Sequence, residues 1–329
     1  MKIAFFDAKP YEKIFFNDGN STFGFDIEYF ESRLTLNSSY LAKGYDVVCI
    51  FVNDEITKDI IDDLYKLGVG LIALRCAGYN NVDIKSANKK IKIVRVPHYS
   101  PHAVAEYSVG MMLCLNRKIH HAYIRTKENN FGIDNLIGFD MYGKTVGIIG
   151  CGQIGSAVAK ILNGFGMRVL CYDIDKLFVE KSECLYANLS TIYKESDIIT
   201  LHCQSTAENL HMIDSNAIAQ MKDNVMLINT GRGALIDTAA LIVALKSKKI
   251  GYAGLDVYEE EGKYFYEDLS SSFILDDVLA RLQTFPNVLI TSHQAFFTKE
   301  AMCNIVNATL ENIKAYSDGK PLTNEVIAN

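Results

Sequence analysis

Short apolar runs of strand length alternate with helix-period segments from one end of this chain to the other, which restricts the fold to stacked βαβ units on parallel sheets. Strands in such sheets are covered by helices on both faces, so they read as continuous apolar runs. Here the runs fall into two series. The first has strand candidates at 2–6, 25–30, 46–51, 71–74 and 92–96; the second has six, at 145–149, 168–172, 197–202, 225–229, 252–257 and 288–292. Between the series, Pro97 and Pro101 break the strand and a long apolar-periodic helix follows, which puts a boundary near Tyr99 and Ser100. A last helical stretch, KEAMCNIVNATLENIKAY, follows the sixth strand of the second series and is expected to cross back to the first domain. The expected class is α/β, with two doubly wound parallel-sheet domains.

The 329 residues are 49% apolar and 22% charged, enough to bury two full cores. With 33 basic against 39 acidic residues the net charge is -6, which gives no electrostatic reason to bind nucleic acid or an anionic membrane. No apolar run approaches the roughly 18 residues of a membrane helix, and the start, MKIAFFDAKPYEK, is too brief for a signal-peptide core. A soluble, cytoplasmic protein acting on a small molecule is expected. The eight cysteines form no C-x-x-C pair and most sit in apolar runs such as DVVCIF and MMLCL, so buried, reduced thiols with no metal site are expected and disulfides are the less favoured alternative.

The second series opens with a sharper signal. The strand at 145–149 runs straight into Gly150-Cys151-Gly152-Gln153-Ile154-Gly155 and then into a helix-period segment, so G-x-G-x-x-G stands in its required strand–turn–helix context. Gly150 permits the tight turn, Gly152 lets a pyrophosphate approach the backbone, and Gly155 lets helix and strand pack closely while the helix N-terminus faces the phosphate charge. Asp173 ends the next strand, where a carboxylate accepts both ribose hydroxyls. An acid there repels a 2′-phosphate and Ile174-Asp175 offers no arginine, so NAD is expected rather than NADP, on a Rossmann-type domain.

Three further strand ends carry polar groups to the carboxyl edge of the sheet, where ligands of doubly wound folds bind. Thr230-Gly231-Arg232-Gly233 follows one, Asp256-Val257-Tyr258-Glu259-Glu260-Glu261 follows another, and His293 follows the last. That trio suits hydride transfer to a 2-keto acid. The planar fork of Arg232 matches the substrate carboxylate. His293 would give a proton to the carbonyl oxygen as negative charge grows there, with Glu261 as its carboxylate partner. Plainer readings exist for each: Arg232 as a solvated loop charge, His293 as a helix N-cap before QAFFTKEA, Glu261 as part of a solvated acidic turn. It is their joint arrival at one sheet edge that favours chemistry. His98, His102, His120, His121, His202 and His211 are read as structural.

Together with IALRCAGYNNVD, VPHYSPHAVAEYSVGMM, MYGKTVGIIGCGQIG, SDIITLHC, NTGRGALID, GLDVYEEE and NVLITSHQAFFT, these residues resemble the D-isomer-specific 2-hydroxyacid dehydrogenases, in particular fermentative bacterial members, over essentially the whole chain. The resemblance implies a flavodoxin-like substrate domain (1–99 and 297–329), a Rossmann NAD-binding domain (100–296) and reduction of pyruvate to D-lactate. It makes Arg232 the substrate-binding and carbonyl-polarising residue, selects Glu261 through D-V-Y-x-x-E as partner of the histidine, and makes His293 the proton donor. It places cofactor contacts on Gln153, Ile154, Asp173, Cys203, Gln204, Asn209, Thr230, Gly231 and Asp256. The backbone of Cys76-Ala77-Gly78 would meet the substrate carboxylate, with Phe51, Tyr99 and Phe296 shaping the side-chain pocket. It also implies a homodimer or homotetramer. Gln204 departs from the family's usual proline, which implies a more flexible loop beside the cofactor. Two alternatives stay open: the same chemistry on a bulkier 2-keto acid, and a non-catalytic NADH-sensing binding protein.

Overall fold

The computed structural model describes residues 1–180 and 183–327. The chain divides into two compact units, Met1–Ser100 with Phe297–Asn329, and Pro101–Phe296. The first is built on five parallel strands, β1 (Lys2–Phe5), β2 (Asp26–Tyr29), β3 (Val47–Ile50), β4 (Leu71–Leu74) and β5 (Lys92–Val94), in the order β2-β1-β3-β4-β5. Every residue of β3 and β4 is buried, as sheets covered on both faces require. The helix Lys299–Ser317 starts on Thr298, whose side chain accepts the N–H of Ala301. Its face of Val306, Leu310 and Ile313 joins Ile3, Phe5, Phe16, Cys49 and Leu71 in one core.

The second unit carries seven parallel strands: β6 (Thr145–Ile149), β7 (Arg168–Tyr172), β8 (Leu185–Tyr186), β9 (Ile198–Leu201), β10 (Val225–Asn229), β11 (Ile250–Leu255) and β12 (Val288–Ile290). Their order is β12-β11-β10-β9-β6-β7-β8. The chain winds one way from β6 to β8 and the other way from β9 to β12, so the switch point lies between β6 and β9 and opens a crevice at their carboxyl ends. Six strands are expected from the sequence; the seventh, β8, is a two-residue edge strand, too short to carry a period. The helices Pro101–Arg117 and Gln153–Gly164 cover one face through Val109, Met112, Leu115, Val158 and Leu162, while Ile218, Leu241 and Leu245 belong to the core on the other.

The cysteine expectation is corrected at one pair. Cys171 and Cys184 form a disulfide, and the other six cysteines stand outside it. The pairing of Leu170 with Leu185 and Cys171 with Tyr186 brings them side by side, a neighbourhood that spacing along the chain does not reveal. Among the described residues no helix is long and apolar enough to cross a membrane.

Candidate active site

The glycine loop is shaped by packing at two positions and by open space at the third. Gly150 has φ +97°, and a Cβ there would overlap the backbone of Cys203; a Cβ on Gly155 would overlap the Gly150 carbonyl. Gly152, the N-cap of the helix Gln153–Gly164, has nothing within 4 Å of where its Cβ would stand. Free N–H groups of a helix start beside empty space fit a pyrophosphate approaching the backbone. Gln153 is exposed and Ile154 half-buried beside them. At the end of β7, Asp173 Oδ2 accepts the N–H of Cys151 at 2.6 Å and Oδ1 that of Asp175 at 3.1 Å, which fixes the carboxylate beside the glycine loop.

After β9, Asn209 braces the loop that carries Gln204. Its Nδ2 donates to the Gln204 carbonyl at 2.7 Å and its Oδ1 accepts the N–H of Thr206 at 2.7 Å, which offsets the slack expected where proline is missing. Cys203 places its sulfur 3.8 Å from that of Met212. Thr230 is tied through its hydroxyl to that of Ser108 at 2.8 Å. His202 bonds through Nε2 to the Thr200 hydroxyl at 2.9 Å, its buried Nδ1 has no partner, and burial pushes its pKa down to about 4.

The neighbouring strands β10, β11 and β12 deliver Arg232, Glu261 and His293 from their carboxyl ends. Arg232 is half-buried. Asn229 holds its turn by accepting the N–H of Gly231 at 3.0 Å and donating to the Arg232 carbonyl at 2.9 Å. A Cβ on Gly233 would overlap the backbone of Tyr258 and Glu259, so the arginine turn is pressed against the end of β11. His293 Nδ1 lies 2.7 Å from Glu261 Oε1, and Glu261 Oε2 accepts the N–H of Tyr258 at 2.9 Å. His293 takes φ +52°, donates its N–H to the Asp256 carbonyl at 2.7 Å and accepts the Tyr266 hydroxyl on its own carbonyl at 2.8 Å. An imidazole oriented at one nitrogen by a carboxylate, with its backbone pinned at both ends, leaves the other nitrogen to exchange a proton.

Asp256, expected at the nicotinamide, is fully buried. Its Oδ1 accepts the Thr291 hydroxyl at 2.6 Å and the N–H of Gln294 at 2.9 Å, and Oδ2 accepts the N–H of Ala295 at 2.8 Å. Its carboxylate therefore holds the loop that carries His293. Burial raises its pKa, opposed by those three donors. His211, read as structural, bonds through Nε2 to Glu259, joining the loop after β9 to the end of β11. No sequence motif announces that contact, because its members are far apart in the chain and meet only through packing. His293 does not cap the following helix, whose N-cap is Thr298. The substrate-pocket candidates Phe51, Ala77, Gly78 and Tyr99 lie in the first unit and Phe296 at the end of the second.

A dinucleotide crevice flanked by an acid-paired histidine and an arginine defines an NAD-dependent oxidoreductase, and the comparisons with known proteins agree. Residues 109–295 match the NAD binding domain of the D-isomer specific 2-hydroxyacid dehydrogenases. The chain is 50% identical to a 2-hydroxyacid dehydrogenase homolog of Haemophilus influenzae, covering 99% of each, and 48% identical to the D-lactate dehydrogenase of Escherichia coli, covering 99% of this chain and 100% of the other. Among solved structures, the pyruvate reductase of Chlamydomonas reinhardtii superposes with a TM-score of 0.93 at 40% identity over 98% of each chain. The chain belongs to the D-isomer specific 2-hydroxyacid dehydrogenase family.

Proposed function

We propose that the protein reduces pyruvate to D-lactate with NADH, using Arg232, Glu261 and His293. The observation that carries this reading is the 2.7 Å pair of Glu261 and His293 on strand ends next to that of Arg232. When bound, the reduced nicotinamide supplies a hydride to the keto carbon. Arg232 presents two N–H groups to the substrate carboxylate and draws electron density from the carbonyl. His293 donates its Nδ1–H to Glu261, so Nε2 is the nitrogen that gives a proton to the substrate oxygen. Glu261 stabilises the protonated ring before that transfer and holds its orientation throughout. Gly152, Gln153, Ile154 and Asp173 hold the nucleotide, and the loop with Cys203, Gln204 and Asn209, together with Thr230 and Gly231, lines its further contacts.

The unit Pro101–Phe296 is accordingly the nucleotide domain and the other the substrate domain. Phe51, Ala77, Gly78, Tyr99 and Phe296 are the proposed binders of the keto acid. Support for pyruvate comes from relatives named for D-lactate and for pyruvate reduction. A chain using the intracellular NADH pool is placed in the cytoplasm.

A homo-oligomer completes the proposal. The helix Ile119–Lys127 buries none of its residues, and Tyr123, Ile124, Phe131, Ile133, Ile137 and Tyr142 are exposed on or beside it, an apolar stretch suited to a second copy of the chain.

The test is steady-state turnover with pyruvate, 2-ketoisocaproate, hydroxypyruvate and phenylpyruvate, each with NADH and NADPH. The highest kcat/KM is expected for pyruvate with NADH. A higher value for a bulkier acid overturns the substrate, and NADH binding without turnover of any acid overturns the reductase.

A further inference from the structure

We infer that Cys171 and Cys184 form a reversible thiol–disulfide site that sets how tightly the nucleotide unit holds the adenosine half of its cofactor. The inference rests on NAD occupying the glycine loop. Cys171 lies near the end of β7, two residues before Asp173, and Cys184 immediately precedes β8. Their bridge spans 13 positions with Cα atoms 6.0 Å apart, an ordinary separation for a disulfide. It closes a ring containing Asp173 and the helix Lys176–Glu180. Without the bridge, the far side of that ring is held to β7 by the two residue pairs of β8 and by the N–H of Ala187 donating to the Cys171 carbonyl at 2.9 Å. A two-residue edge strand is a weak clasp, so a covalent tie there changes how firmly the segment after Asp173 is fixed.

A third sulfur connects the bridge to the glycine loop. Those of Cys151, Cys171 and Cys184 lie within 4.8 Å of one another. Cys151 stands between Gly150 and Gly152, and its N–H is the one that Asp173 accepts. The bridge therefore packs against the residue that links the phosphate loop to the ribose carboxylate. Burial pushes the Cys151 thiol up to about 12, which keeps it protonated and out of exchange, whereas Cys184 is partly exposed and reachable.

The chemistry needs a small-molecule disulfide as oxidant. The Cys184 thiolate attacks one of its sulfurs, breaking that S–S bond and releasing one thiol. Cys171, giving up its proton, then attacks the Cys184 sulfur of the mixed disulfide and displaces the second thiol. Two protein thiols lose two electrons and two protons, and the oxidant becomes two thiols. A dithiol reverses both steps. In a reducing compartment such a bridge is transient, which suits a sensor rather than a staple.

The test uses the full chain equilibrated with oxidised glutathione or with dithiothreitol, followed by alkylation with peptide mapping and by fluorescence titration with NADH. After oxidation a linked Cys171–Cys184 peptide is expected, with six cysteines alkylated rather than eight. The bridged protein is expected to bind NADH about fivefold more tightly or better. Cys184→Ser and Cys171→Ser are each expected to give the weaker affinity in both buffers. Absence of the linked peptide, an unchanged affinity when it forms, or a Cys184→Ser variant that still tightens with oxidant overturns the inference. Absence of NADH binding in both states overturns the cofactor reading and this inference with it. Unequal binding without keto-acid turnover supports the inference and removes only the reductase proposal.

Discussion

Glu259, Glu260 and Glu261 are consecutive and chemically identical, yet their surroundings give them three fates. Glu259 accepts the Thr238 hydroxyl at 2.6 Å and pairs with His211; Glu260 stays exposed with Lys263 3.8 Å away; Glu261 meets His293. Position in the turn, not acidity, selects the partner of His293. Replacing His293 by alanine should lower kcat by about a hundredfold to ten-thousandfold while NADH affinity stays within a factor of about two; stopped-flow turnover and fluorescence titration read the two separately, and a near-normal rate would sink the proton-donor assignment. Arg232→Lys should lower kcat/KM for pyruvate by about tenfold to a hundredfold, because an ammonium cannot reproduce two parallel hydrogen bonds. Arg232, Glu261 and His293 were legible in the sequence because a parallel sheet sends its strand ends to one edge. The burial of Asp256 was not, since it depends on how Thr291, Gln294 and Ala295 fold back over it.

At the level of elements, the long interior strands were legible and the edges were not. β6, β7 and β10 have the bounds their apolar runs suggest, whereas β8 has two residues and β12 stops at Ile290, before the turn that lifts His293. Strands at a sheet edge are held by fewer ladder bonds, so packing and local turns decide their length. The loop from Thr291 to Ala295 is organised by the Asp256 carboxylate, and Asp256→Ala would leave a hydroxyl and two backbone N–H groups without their acceptor. A loss of about 3 kcal/mol in urea unfolding is expected, with kcat falling as His293 loses its support; an unchanged stability would show that the loop holds itself. The glycine loop after β6, an interior strand of the sheet, gives a steric test. Gly155→Ala pushes a methyl into the Gly150 carbonyl, so NADH affinity should fall by more than about tenfold, read by fluorescence titration.

Over the whole molecule, two buried groups answer acid in opposite directions. Burial holds the His202 imidazole neutral, with its pKa lowered to about 4 from 6.5, so the stability it contributes is present above pH 6.5 and is lost as pH falls through 4. Burial raises Asp54 from 3.8 to about 6, so its contribution is present below 3.8 and is lost as pH rises through 6. Acidification from neutrality to pH 4 should therefore cost stability at His202 and add it at Asp54; His202→Gln should remove up to about 3 kcal/mol of the former loss, as measured by urea titration at both pH values. Association is tested by sedimentation, with the Ile133→Asp, Ile137→Asp double variant expected to dissociate to single chains; if it sediments like the parent, another face makes the contact. One further consequence follows from the place of the helix Lys299–Ser317 in the first core. As the ribosome extrudes this polypeptide, Ile3, Phe5 and Leu71 emerge before the inserted Pro101–Phe296 body, and the side chains that cover them, Val306, Leu310 and Ile313, only after it. The inserted Pro101–Phe296 body is complete before then, so the segment made ahead of it matures later than the body itself, and waits with a greasy flank that newborn-chain chaperones would recognise.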